Sequence, residues 1–155
     1  MKQVNKIIKI SRIFATVFGA GYLPLAPGTW GSLAALPFCI ILHSYIYLNF
    51  AVFLILFIAG VFASDIVEKD SGEKDPGYIV IDEFACLFLV FVFIPLSIKS
   101  IIIGFLIYRA IDIIKPPPMK RLENVPKGWG VMLDDLMSGI YTNLILQALL
   151  YFKII

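Results

Sequence analysis

Two pairs of adjacent acids, Asp82-Glu83 and Asp134-Asp135, each stand at the head of a long apolar run. A carboxylate at the centre of a membrane helix costs about 2.5–3.5 kcal/mol, and less at its edge. Two side by side repel each other unless a cation lies near. One acid would be enough to complement a helix N-terminus, so the doubling asks for a further reason. Between the pairs, Arg109, Asp112 and Lys115 recur every third residue, which lines them along one helix face. Pro116, Pro117 and Pro118 then stop that helix. Arg109 and Asp112 at this spacing also suit a simple mutual ion pair. Hard divalent cations take carboxylate and water oxygens, so the doublets with Asp112 suit Mg²⁺. Arg109 and Lys115 suit a phosphate. The same gathering of acids suits an ion or proton pathway.

A third polar segment runs from Gly19 to Ser32 and is punctuated by glycine and proline, so it reads as a loop. It ends in Thr29 and Ser32, either of which could cap the next helix. Such a loop offers backbone N–H groups to an anion; an ordinary capped turn accounts for it equally well. Cys39 and Cys86 lie in apolar runs with no CxxC or Cys/His cluster, and read as small buried hydrophobes. His43 stands alone.

These groups need helices to position them, and the composition points to helices in a membrane. The 155 residues are 60% hydrophobic, with a mean hydropathy of +0.92, against about 45–50% in soluble domains. Apolar segments run roughly over 32–48, 50–65, 84–97, 100–114 and 136–153. Several are only ~14–17 residues, or ~21–26 Å of helix, short for a hydrocarbon layer of ~30 Å. The expected fold class is all-α: one membrane-embedded domain over 1–155, a polytopic bundle of about four or five short spans. Four applies if Pro37 makes the first segment re-entrant. Residues 1–18 carry Lys2, Lys6, Lys9 and Arg12 against Val4, Ile7, Ile8, Phe14 and Val17. That pattern predicts an amphipathic helix on the membrane surface, not a signal peptide, which needs an uninterrupted apolar core.

Placing 1–31, 66–83 and 109–135 on one side puts all 11 acids on or just under it, and leaves only Lys99 and Lys153 of the 13 cations opposite. The positive-inside rule makes the crowded side cytoplasmic. Acids contribute little to orientation, so their concentration there points to a cytoplasmic-face site. The net charge of +2 gives no general attraction to nucleic acid.

The sequence resembles the phosphatidylglycerophosphatase A family. The resemblance rests on four blocks in order: Pro27-Gly28-Thr29-Trp30-Gly31-Ser32-Leu33-Ala34-Ala35; Asp75-Pro76-Gly77 with Ile79-Val80-Ile81-Asp82-Glu83-Phe84; Arg109-Ala110-Ile111-Asp112-Ile113-Ile114-Lys115-Pro116; and Gly130-Val131-Met132-Leu133-Asp134-Asp135. Tyr78 and Cys86 depart from the residues usual in the family, and Glu123 stands where it often has Asp. The resemblance implies a bacterial, Mg²⁺-dependent phosphoric monoester hydrolase of the cytoplasmic membrane. Its partner would be a phospholipid within the bilayer, phosphatidylglycerophosphate, dephosphorylated to phosphatidylglycerol in phospholipid biosynthesis.

The residue roles expected on that basis are these. Asp82, Glu83, Asp112, Asp134 and Asp135 form the catalytic set. Asp82, Glu83, Asp134 and Asp135 supply most metal ligands, with Asp75 or Asp112 completing or orienting the site. Thr29, Ser32, Arg109 and Lys115 hold the substrate phosphate. Either water or an aspartate attacks phosphorus. A transporter would need polar residues through the spans, which offer little beyond Ser44, Asn143 and Gln147. A structural subunit would need the acid doublets for assembly and not for turnover.

Overall fold

The computed structural model describes residues 2–155; Met1, counted above in the surface segment, lies outside the described residues. Among those residues all regular structure is helical: α1 (Lys2–Ala15), α2 (Pro27–Leu42), α3 (Ile46–Ser71), α4 (Ile81–Val90), α5 (Ile98–Ile114), α6 (Met119–Leu122) and α7 (Trp129–Tyr151). A 3₁₀ turn over Ala20–Tyr22 links α1 to α2. The apolar segments read from the sequence correspond to α2, α3, α4, α5 and α7.

α3, at 26 residues, is the one described helix long and apolar enough to cross a membrane by length and composition. Its buried side is a stripe through Asn49, Phe53, Phe57, Gly60, Ser64 and Val67, the 3.6-residue period of a helix with one packed face. Its other side is also apolar: Phe50, Leu54, Ile55, Ile58 and Phe62 are exposed. Gly72, with φ 72°, ends it in the left-handed conformation that favours glycine.

α4 is the centre of the bundle, packed against α2, α3 and α7, while α5 runs along α7 and α1 along α3. Eight of its ten residues are buried. The run 84–97, expected as one span, is therefore not one helix. α4 stops at Val90, and the chain turns with Phe93 at φ 59°. Pro95 disfavours helix at the residue before it. α5 restarts at Ser97, where Ser97 and Ser100 cap each other's backbone N–H at 3.0 and 2.8 Å. The open carbonyls of α4 are met by side chains: the Asn143 amide donates to Leu89, Val90 and Val92 carbonyls at 3.2, 3.0 and 2.8 Å, and Asn49 to Phe88 at 3.2 Å. A buried helix end needs such partners.

α2 begins earlier than expected. Pro27 opens it and Ala26 is its N-cap with no side-chain bond, because proline's fixed φ and missing N–H suit the first helical position. Thr29 and Ser32 therefore do not cap it; the Ser32 hydroxyl donates back to the Gly28 carbonyl at 2.8 Å. Pro37 does not break α2, which runs to Leu42.

The three segments assigned to one side do meet at one end. Val80 N–H donates to the Ala15 carbonyl at 2.9 Å, Arg12 pairs with Asp70 at 2.5 Å, and Arg109 reaches Glu83 at 3.5 Å. Lys99 lies elsewhere, donating to the Ile154 carbonyl at 2.6 Å.

Candidate metal and phosphate site

Each acid reaches this end by a different local device. Asp82 and Glu83 occupy the first turn of α4, where the helix dipole favours negative charge. Asp112 is carried in the last turn of α5, and Lys115 ends that helix in the left-handed conformation, φ 49°. Asp134 and Asp135 lie on the buried face of α7. α7 enters from Gly128, φ 67°, whose missing Cβ lets it pass against the Val61 carbonyl.

Carboxylate oxygens of Asp82, Glu83 and Asp135 lie within 4.8 Å of one another, and so do those of Asp112, Asp134 and Asp135. Asp135 is common to both trios. The acids border a cavity of about 250 Å³, which Asp75, Gly77 and Lys115 also line. Asp75 thus faces the same space but belongs to neither trio. Its loop is held by Glu68, whose Oε1 accepts the Asp75 N–H at 2.9 Å.

The cations are engaged with the acids. Arg109 Nη1 lies 2.9 Å from Asp112 Oδ2, 3.5 Å from Glu83 Oε1 and 3.4 Å from Ser32 Oγ. Lys115 Nζ lies 2.6 Å from Asp134 Oδ2 and 3.6 Å from Glu123 Oε2. Burial alone would lower the Lys115 ammonium, but its hydrogen bond to Asp134 and the nearby charges hold its pKa above the ordinary value. Burial raises the Asp75 carboxyl, and Glu123, Glu68 and Asp112 push it the same way against Lys115.

The balance of charge tests whether a metal ion fits. Five buried carboxylates, Asp82, Glu83, Asp112, Asp134 and Asp135, face two cations. Asp82 and Asp135 have no cation within ion-pair distance among the described residues. Asp82 Oδ1, Glu83 Oε2 and Asp134 Oδ1 are buried with no hydrogen-bond partner. An unpaired buried charge costs several kcal/mol. An all-oxygen donor set with orphaned lone pairs suits a hard divalent cation, so the residues present fit Mg²⁺.

The remaining expected residues fall less centrally. Ser32 is fully buried and touches Arg109, but neither it nor Thr29 lines the acid cavity. His43 lies with Asn49 and Phe88, away from the acids, and both cysteines are buried. Two contributors escaped the sequence reading. Tyr108, fully buried, donates its hydroxyl to Asp135 Oδ1 at 2.8 Å; the available signal was its position one turn before Asp112. Gly28 is the other: a Cβ there would strike the Glu83 carboxylate and Arg109.

An all-helical scaffold with buried acids able to hold a metal ion, braced by an arginine and a lysine, defines the class of protein. The comparisons with known proteins narrow it. The family described as Phosphatidylglycerophosphatase A matches residues 13–150. The chain is 36% identical to Phosphatidylglycerophosphatase A of Haemophilus influenzae, covering 99% of this chain and all of that one. It is 35% identical to the Escherichia coli protein of the same name, over 90% of this chain and 81% of the other. It is 31% identical to a putative phosphatidylinositol-3-phosphatase of Bacteroides thetaiotaomicron, over 88% and 91%. No solved structure matches. The chain belongs to the phosphatidylglycerophosphatase A family and is a phosphoric monoester hydrolase.

Proposed function

We propose that the chain removes the terminal phosphate of phosphatidylglycerophosphate, giving phosphatidylglycerol and inorganic phosphate in phospholipid biosynthesis, with Mg²⁺. The observation that carries this reading is the pair of buried carboxylate trios sharing Asp135, with three acid oxygens left unpartnered. Asp82, Glu83 and Asp135, or Asp112, Asp134 and Asp135, would hold the cation, and Asp75 lines the same cavity. When bound, Mg²⁺ polarises phosphoryl oxygens and offsets the charge that develops on them. The chain's own groups prepare the place. Tyr108 fixes the Asp135 carboxylate, and Arg109 braces Glu83 and Asp112 from the side of α2. Lys115 restrains Asp134 and stands at the cavity, where its ammonium meets an entering monoester. Burial keeps these interactions in a low dielectric, where they are strongest.

The reading places the chain in a bacterial cytoplasmic membrane with the acids at the cytoplasmic face. The outward sides of α2, α3, α5 and α7 are apolar, with Phe38, Ile41, Ile55, Phe62, Ile102, Leu106, Leu144 and Ile145 among the exposed residues. α2 and α5, at ~24 and ~26 Å, suit a locally thinned bilayer. α4 is too short to cross, ~15 Å, and the turn and irregular residues that follow it to Ser97 would complete that passage, making five. α1 carries exposed Val4, Ile7 and Ile10 and suits the interface.

The test is phosphate release by purified protein in detergent, with Mg²⁺, from three substrates: phosphatidylglycerophosphate, phosphatidylinositol 3-phosphate and glycerol 3-phosphate. The expected result is fastest release from the first. Preference for the second would move the substrate to that of the Bacteroides relative's name, and no release from any would refute the phosphatase reading.

A further inference from the structure

A second and larger cavity, about 570 Å³, lies at the end of α5 against the three prolines and α6. Lys115 lines both cavities, so the two adjoin at that residue. Ile114 and the prolines make the larger one apolar, while Lys120 and Arg121 bring charge to it. Neither of these cations has an ion-pair partner among the described residues. The wall that carries them is well held. Met119 is fully buried, α6 packs on α7, and the Tyr141 hydroxyl donates to the Pro117 carbonyl at 3.0 Å. Beside it, Ile113 and Ile114 are 73% and 69% exposed.

The substrate proposed above carries two phosphates. One is the terminal monoester. The other is a diester joining the head-group glycerol to the diacylglycerol. With the monoester in the acid cavity, the diester must lie one glycerol away, on the side of the acyl chains. The adjoining cavity is mostly apolar and has in its wall two cations with no ion-pair partner among the described residues, beside exposed isoleucines suited to acyl chains. The geometry points to a phosphodiester subsite in which Lys120 and Arg121 bind the non-reacting phosphate of the lipid. The inference rests on the phosphatase reading and adds a basis for selectivity: the subsite favours lipids whose reacting phosphate stands one polyol beyond a diester. A lipid whose monoester sits directly on diacylglycerol leaves it unused. Binding energy from such a remote group raises kcat/KM for the substrate that has it.

The experiment compares kcat/KM for phosphatidylglycerophosphate and for phosphatidic acid, at equal mole fraction in neutral-detergent micelles with Mg²⁺. The proteins are wild type, the double variant Lys120→Gln, Arg121→Gln, and a matched variant losing two α1 cations, Lys6→Gln, Lys9→Gln. The expected result is a fall of roughly tenfold in the ratio of the two kcat/KM values for the first variant, and parallel change on both lipids for the second. An unchanged ratio in Lys120→Gln, Arg121→Gln, or an equal fall in the α1 variant, would overturn the subsite and leave the phosphatase reading standing. Absence of release from both lipids by wild type would refute both.

Discussion

Asp135 belongs to both carboxylate trios, and the hydroxyl of Tyr108 decides which way it faces. A hydrogen bond to a charged group contributes about 1.5–3 kcal/mol. Tyr108→Phe keeps the ring in the core and removes only that bond. It is expected to lower kcat/KM by roughly ten- to a hundredfold with unchanged helical content by circular dichroism. An unchanged kcat/KM would remove Tyr108 from the site. The acids themselves were legible in the sequence, because a carboxylate at the head of an apolar run has no cheap explanation. Tyr108 was not, since a tyrosine in an apolar run reads as core and its O–H partner comes from a helix 27 residues on. Arg109 and Lys115 were legible as cations on one face. Their engagement with Glu83, Asp112 and Asp134 depends on how three helices converge.

α4 connects the site to the far end of the bundle. Its first turn bears Asp82 and Glu83, and its last carbonyls depend on Asn143 and Asn49. Asn143→Leu takes the side-chain donor from the Val90 and Val92 carbonyls, at a cost of about 1–3 kcal/mol. A clear fall in Tm is expected, with a smaller fall for Gln147→Leu, whose amide serves only Asn143 at 2.6 Å. Equal effects would show that the α4 end is satisfied otherwise. The same contacts explain why Asn143 and Gln147 trace no ion path: their amides are spent on structure. The helices were legible from apolar runs and proline punctuation, but their limits were not. The run is apolar from Phe84 to Leu96, so nothing in its hydropathy marks the stop at Val90. Thr29 and Ser32 looked like caps because of their type, while Pro27, two residues earlier, sets the start.

At the scale of the molecule, the proposed topology puts the acids and most of the cations on one side of the membrane. The account predicts that Lys127→Cys reacts with a membrane-impermeant thiol reagent only in inverted vesicles, and Lys99→Cys only in intact spheroplasts. The native Cys39 and Cys86 are buried and should stay unlabelled. Labelling of both variants from the same side would contradict the assigned topology. The acid site gathers more negative charge than the two cations within it balance, and that imbalance is the reason to propose a divalent cation there. Asp135→Asn removes one charge from both trios and keeps an acceptor for Tyr108. The most direct measurement is phosphate release from phosphatidylglycerophosphate by wild type and Asp135→Asn over an Mg²⁺ titration starting in EDTA. The account predicts release that rises from nothing with Mg²⁺ in wild type. In the variant it predicts a loss of about a hundredfold or more, with a Tm in EDTA no lower than wild type, since a buried unpaired charge is gone. Release that persists in EDTA, or a variant that keeps wild-type activity, would contradict it.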